Sequence, residues 1–492
     1  MATGLRPLEA LNFDNSYARL PPQWFQRIDP TPLKGAHLAS FNPRVAQLID
    51  LDPCSVRPEQ LARVFNGEQP LPGAEPLAMK YTGHQFGFYN PDLGDGRGLL
   101  LGEVVNDRGE RWDLHLKGAG RTAFSRFGDG RAVLRSSIRE YLAGEAMAGL
   151  GIPTTRALCL IASEQFTQRN GMEPCALLVR VTPCHIRFGH FEYFYYSRQH
   201  DQLRQLADYV IARYYPHCRE ADNPYLALFE EVLERSAELV ALWQAYGFVH
   251  GVLNTDNMSI LGETFDYGPY TFMDHYQPEL VANGNDDEGR YAFKRQPEIV
   301  LWNLSALAQA LLPLVPREQL EQALTRFMPR FRHHELRRMR ARLGLQREEA
   351  DDGALIQSLR ELAAAQRLDL TRLLFHLSTP AGGDAAQLAA ALELDSLPQT
   401  LQHWLDRYQQ RLALEVASAP IRQAQMRALN PRYILRNYMA EEVIREAHQG
   451  DYGPLNELLA LLREPGRVHP TLDRYAAQPP DWAGAICLTC SS

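Results

Sequence analysis

The spacing of apolar residues changes once along this chain, near residue 200, and the change limits the fold to strands first and helices after. Trp112-Asp113-Leu114-His115-Leu116-Lys117 alternates as a half-buried strand does. The run Leu99-Leu100-Leu101-Gly102-Glu103-Val104-Val105 precedes it, joined by the turn Asn106-Asp107-Arg108-Gly109, so the two read as a β-hairpin. A glycine-dense loop, Gly94-Asp95-Gly96-Arg97-Gly98, leads into this hairpin, and a second, Gly128-Asp129-Gly130, follows it. From 132 to 150 apolar residues recur in steps of four (Leu134, Ile138, Leu142, Ala146, Leu150), the spacing of a helix face, until Gly151-Ile152-Pro153 ends it. Further strands are expected at 157–161 and 176–181. Beyond residue 200 the pattern is helical, at 230–246 with Gly247 as its stop, then at 297–316, 317–345, 353–377, 385–417 and 434–463. Residues 1–75 are Pro-punctuated and read as an arm packed on a domain. The expected fold class is α+β and two-lobed, with a β-rich part at 76–190, a helical part at 191–492, and a cleft between them for a ligand.

Composition narrows the function. A hydrophobic content of 45% and a charged content of 22% are globular values. A net charge of −8 argues against nucleic acid or an anionic membrane as partner, since both need a basic field. Seven cysteines are few for 492 residues. With no signal-peptide pattern and no apolar run of about 18 residues, a cytoplasmic location is expected. Lysine occurs only at 34, 80, 117 and 294, and the other 47 of the 51 basic side chains are arginine. A lysine inside a strand is therefore less incidental here than usual.

Phosphoryl transfer needs a cation that bridges phosphates, a basic clamp and a base near the nucleophile. Protein kinases supply these with a strand lysine, a helix glutamate, the Asn of H-R-D-x-x-x-x-N and the Asp of D-F-G. The same order occurs here. Lys117 ends a strand, and Glu140 follows 23 residues later on the next helix. His250-Gly251-Val252-Leu253-Asn254-Thr255-Asp256-Asn257 keeps the His and Asn spacing, and Asp266-Tyr267-Gly268 replaces D-F-G. Asn257 and Asp266 are thus the expected metal ligands. The position of the kinase catalytic Asp holds Val252, which cannot accept a proton; Asp256, one residue before Asn257, can place a carboxylate nearby. Among the arginines, Arg97 and Arg131 flank glycine loops where backbone approaches phosphate, and Arg180 and Arg187 bracket the end of a strand. A guanidinium fork suits phosphate oxygens. Gly118-Ala119-Gly120 mimics a dinucleotide fingerprint, but a helix follows it where a second strand ending in an acid is needed. No Gly-Lys pair exists for a Walker A loop. Cys487-Leu488-Thr489-Cys490 is half a zinc site at best, and reads either as a thiol–disulfide pair or as two spare thiols.

These motifs, with Lys117-Gly118, Phe127-Gly128-Asp129-Gly130 and the terminal Cys487-Leu488-Thr489-Cys490-Ser491-Ser492, resemble the selenoprotein O family over almost the whole chain. The resemblance implies a protein-kinase-like fold that binds ATP in a flipped orientation. It implies transfer of AMP to Ser, Thr or Tyr hydroxyls of protein substrates, with UTP as an open second donor. It places Gly94, Gly96, Arg97, Lys117, Asp129, Gly130, Arg180 and Arg187 on ATP, with Glu140 behind the lysine. It makes Asp256 the base, and Asn257 and Asp266 ligands of Mg2+ or Mn2+. Selenium-containing members carry selenocysteine at the position of Cys490. Bacterial relatives carry a Cys-Asn-His-Ser-Asp stretch whose cysteine pairs with the terminal one; here it reads Ala282-Asn283-Gly284-Asn285-Asp286, so that disulfide cannot form. A monomer is expected. An ordinary kinase, or an inactive nucleotide-binding scaffold sensing redox through its tail, are the competing readings.

Overall fold

A computed structural model of the chain describes residues 4–169 and 171–489. Its strands are β1 (Phe25–Arg27), β2 (His37–Phe41), β3 (Leu77–Met79), β4 (Gly83–Gln85), β5 (Phe88–Asn90), β6 (Gly98–Val105), β7 (Arg111–Lys117), β8 (Ala132–Val133), β9 (Arg156–Gln168) and β10 (Met172–Thr182). Eight of them form one antiparallel sheet in the order β1-β3-β6-β7-β10-β9-β2, with β8 paired to β10; β4 and β5 make a separate hairpin. The expected β6–β7 hairpin is present, and Gly109 (φ +79°) closes its turn. The strands expected at 157–161 and 176–181 are the central parts of the longer β9 and β10.

Strand alternation sorts side chains onto two faces. Leu99, Leu101, Leu114, Leu116, Leu177 and Val179 face one core, which is closed by Val45 and Ala46 of helix α1 (Pro43–Leu48) and Leu61 and Phe65 of α2 (Pro58–Phe65). Leu100, Leu160, Ala176 and Leu178 face the other, which α3 (Leu134–Gly149) and the helical half cover. The first 75 residues are therefore not an arm laid on a finished domain. They supply β1 and β2, edge strands at the two ends of the sheet, and the two helices without which one apolar face would meet water.

The second half is helical, opening with α4 (Phe188–Tyr196), α5 (His200–Tyr214) and α6 (Pro224–Tyr246). The last begins earlier than its periodicity predicts, because Asn223 caps the N–H groups of Tyr225 and Leu226. Gly247 (φ +69°) ends it as expected. Four long predicted helices are each two shorter ones. The 317–345 segment breaks between Arg317–Leu324 and Phe327–Arg342, where Pro329 removes an N–H. The 353–377 segment breaks before Asp369, whose side chain caps Leu370–Leu377 by accepting from Arg372 N (3.0 Å). The 385–417 segment turns at Glu393 (φ +60°), and the 434–463 segment at Gly450 (φ +87°). Two short strands, β11 (Phe248–Val249) and β12 (Thr271–Phe272), pair at the base of the His250 motif and hold it as a closed loop. No helix among the described residues is long and apolar enough to cross a membrane.

Candidate active site

A cleft of about 560 Å³ lies between the sheet and the β11–β12 loop. Gly94, Gly96, Arg97, Lys117, Asp129 and Gly130 line it from the sheet side. Arg180, Arg187, Asp256, Asn257 and Asp266 complete it. All the sequence-predicted site residues meet there except Glu140, which stands behind the wall.

Sheet register explains the basic side. Lys117 lies opposite Gly98 on β6, and Arg180 on β10 lies opposite His115, two residues before Lys117, so all three side chains share one face. Glu140 reaches this face from α3. It accepts from Lys117 Nζ through one oxygen and from Arg180 through both, with Nη2 at 3.1 Å. Burial lowers the Lys117 ammonium to about 8 against the pull of Glu140, with Arg97 and Arg180 adding to the fall. Arg97 is also lowered by burial and by Arg180, and its guanidinium has no hydrogen-bond or ion-pair partner among the described residues. This wall therefore holds more positive charge than Glu140 neutralises.

The loop ends are pinned. Asp95 accepts from Met79 N (3.0 Å) and pairs with His115 Nε2 (3.2 Å), whose ring stacks on His185 at 4.3 Å. Gly130 (φ +72°) has no space for a side chain, because a Cβ would fall 2.1 Å from the carbonyl of Gly120. Asp129 pairs with Arg169 (2.7 Å) and accepts from Thr167; although burial opposes it, these bonds hold its carboxyl at about 2. The Arg131 guanidinium, expected near phosphate, donates instead to the carbonyls of Thr31 (2.7 Å) and Pro32 (3.1 Å) and ties the N-terminal segment to the sheet.

On the helical side His250 is structural. Its Nε2 meets Phe265 O at 3.1 Å, and burial lowers its pKa to about 4, so it is neutral and fixes the backbone just before Asp266. Asp266 adopts φ +57°, a left-handed conformation that Asp tolerates. Burial would raise its carboxyl, but Arg187 and Arg180 (Nη2–Oδ1 2.8 Å) outweigh it and hold it far below the usual carboxylate range. Asn257 turns its amide N–H to Val252 O (3.0 Å), which leaves Oδ1 as its acceptor. Asp256 lies in the turn Thr255–Asn257. Its Oδ2 accepts from Gln85 Nε2 at 3.3 Å, whereas Oδ1 is buried without a partner. Burial pushes this carboxyl up to about 7, with Arg187 opposing and Asp266 adding. Val252 lines the cleft and offers no acceptor on its side chain.

Two acceptors here, Asn257 Oδ1 and the Asp266 carboxylate, are hard oxygens, the donor type that Mg2+ or Mn2+ takes. Among the described residues no cluster of three or more His, Cys, Asp or Glu side chains is placed to hold a metal ion. Sequence reading missed Gln85, Asp95, His115 and Arg169. The turn residues of Gln85-Phe86-Gly87-Phe88 were a hairpin signal, and Asp95 sits inside the first glycine loop; nothing local marked His115 or Arg169. The tail docks beside the site's supporting loop: Gly284 N donates to Leu488 O (2.7 Å), and Cys487 is exposed. Cys490, and with it a Cys487–Cys490 pairing, lies outside the described residues.

A cleft with an unneutralised basic wall facing an acidic, oxygen-lined loop defines an enzyme that handles the phosphates of a nucleotide. The family model described as protein adenylyltransferase SelO matches residues 7–463, and the chain belongs to that family. It is accordingly a nucleotidyltransferase. It is 56% identical to the protein nucleotidyltransferase YdiU of Hahella chejuensis over 100% of both chains. It is 51% identical to that of Azotobacter vinelandii, over 99% of this chain and 100% of the relative. With the Chromohalobacter salexigens protein of the same name it shares 50% identity over 99% and 98% of the two chains.

Proposed function

We propose that this chain binds ATP with a divalent cation in a protein-kinase-like, two-lobed frame, a β-rich lobe at 76–190 completed by residues 1–75 and a helical lobe at 191–492, and transfers AMP to Ser, Thr or Tyr hydroxyls of cytoplasmic proteins. The observation that carries the reading is the uneven charge across the cleft. Arg97, Lys117 and Arg180 crowd the sheet side with Glu140 as counter-ion, while Asp256 keeps an unpartnered oxygen on the other. The terminal phosphates carry most of a nucleotide's charge and belong against the basic wall. That placement leaves the α-phosphorus nearer Asp256. Asp256 takes the proton of the incoming hydroxyl, the hydroxyl oxygen bonds to the α-phosphorus, and the bond to the bridging oxygen breaks to release pyrophosphate. Mg2+ or Mn2+ held by Asn257 and Asp266 would neutralise phosphate charge during this transfer. Arg187 and Arg180, which balance Asp266 in the structure, would offer that charge to phosphate were a cation held at the carboxylate. Intact-mass spectrometry after incubation with ATP and Mn2+ tests the reading: added mass of AMP on the chain or on a supplied protein supports it, and added mass of phosphate alone overturns it.

A further inference from the structure

The β4–β5 hairpin (Gly83–Asn90) is a part of the site wall that the sequence motifs do not touch, and it packs closely against the loop that carries Asp256. Its two turn residues, Phe86 (φ +51°) and Gly87 (φ +85°), both lie in the left-handed region, the requirement of a two-residue turn that follows strand twist. Phe86 bears that conformation without being glycine, and it is held there by donating its N–H to Tyr291 Oη at 2.9 Å. Tyr291 in turn donates to Asn254 Oδ1 of the catalytic loop (2.7 Å), and His84 N donates to Thr255 Oγ1 (2.7 Å). At Gly83 a Cβ would come within 2.9 Å of that hydroxyl and 3.1 Å of Asp256 N.

Within this clamp, three polar groups form a chain with only one consistent direction. Asp92 N, a backbone N–H that can only donate, gives its proton to Asn90 Oδ1 at 3.0 Å. The Asn90 carbonyl is thereby fixed toward Asp92, so Asn90 Nδ2 faces Gln85 and donates to Oε1 at 3.0 Å. Gln85 then has only its Nε2 to present to Asp256 Oδ2, at 3.3 Å. One Asp256 oxygen is held by this relay, and the other, Oδ1, is left buried and unpartnered.

We propose that Asn90 and Gln85 form an amide relay that orients the Asp256 carboxylate, making Gln85 a positioning residue that reserves Oδ1 for the substrate hydroxyl. The relay rests on the reading of Asp256 as base. Its function follows from polarity: an amide nitrogen attracts the carboxylate oxygen, whereas the amide oxygen repels it. A change that reverses the direction at Asn90 therefore acts on Asp256 without touching it. In Asn90→Asp the side chain can no longer donate, Gln85 turns its nitrogen toward the introduced carboxylate, and its oxygen faces Asp256.

The test is the initial rate of label transfer from ATP carrying 32P at the α-position, with Mn2+, into the chain itself and into added casein. The ATP concentration is varied, and the melting temperature of each variant is recorded. Gln85→Leu is expected to lower kcat about 10- to 100-fold, the scale of one hydrogen bond to a charged group, with KM for ATP within about twofold of the parent. Asn90→Asp should give a loss of the same size, and Gln85→Leu/Asn90→Asp no further loss, because both changes break one relay. Where Gln85→Leu fails to fold, the isosteric Gln85→Glu, which cannot donate when ionised, carries the same expectation. A kcat above half the parental value in Gln85→Leu overturns the proposal. So do single losses that multiply in the double variant, and a fall in kcat matched by an equal rise in KM. Asp256→Asn in the same assay separates the two layers: if it turns over normally, the base assignment fails; if it alone is inactive, only the relay fails.

Discussion

Replacing Glu140 with glutamine keeps the shape of the wall and removes its counter-ion. In the parent, Lys117, Arg180 and Glu140 have side chains no more than 6% exposed, so water cannot take over for the missing charge. The lysine has an escape. Its ammonium sits at about 8 with Glu140 still holding it up, so without that carboxylate giving up its proton at pH 7 costs at most about 1.4 kcal/mol, the equivalent of one pKa unit. Arg180 has none, because a guanidinium stays protonated, and the loss of its charge-assisted bonds to Glu140 costs about 2–3 kcal/mol. The total of about 2–4 kcal/mol lies at the lower side of the cost of orphaning a buried ion, because Arg180 keeps its pair with Asp266. For a chain of this size, at about 1 °C per kcal/mol, it should lower the melting temperature by roughly 2–4 °C. Because the orphaned cations face the cleft, saturating ATP should narrow the gap between variant and parent. Differential scanning fluorimetry of both proteins, with and without ATP and Mg2+, reads each number directly. A Glu140→Gln protein that melts within about 1 °C of the parent without nucleotide would refute the argument that Glu140 balances this wall. A gap that ATP leaves unchanged would refute the placement of phosphate against it.

Asp256→Ala should bind ATP normally by calorimetry yet lose at least ~10²-fold in transfer rate, the scale for removing a general base. In the parent, the Asp256 carboxyl is raised to about 7 and acts only when deprotonated, so activity without other change should rise with pH through 7 and fall about tenfold per unit below it; a rate flat from pH 5 to 8 contradicts the assignment. Asp266→Ala should lose metal-dependent ATP binding and transfer together, because Asn257 alone cannot hold the cation; retained Mn2+-dependent binding by the variant would count against it.

The parts of this molecule legible in its sequence are those whose partners lie close by in the chain. The β6–β7 hairpin, α3 and the Gly247 helix stop are specified by residues within a few turns of one another. The edge strands are not. β1 has three residues and pairs with β3 some fifty positions later, while β2 pairs with β9 across more than a hundred. A segment that short carries no period of its own, so 1–75 resembles an arm when read alone. The same distinction runs through the site. Asn257 and Asp266 sit in a contiguous motif and could be named from it. Gln85 reaches Asp256 across 171 positions, and His115 reaches Asp95 only because a glycine loop folds back on its strand. Arg131 shows the converse. Its place beside a glycine loop suggested phosphate, but the carbonyls of Thr31 and Pro32 were nearer, and no local pattern announces a carbonyl a hundred residues away.

The most direct test of the whole account is to offer the protein ATP labelled with 32P at the α-position in one reaction and at the γ-position in a parallel one, with Mn2+ and casein, and to count label bound to protein. Transfer of AMP with release of pyrophosphate predicts label from the α-position and none from the γ-position. Label from the γ-position and none from the α-position would contradict it and make the same cleft that of a kinase.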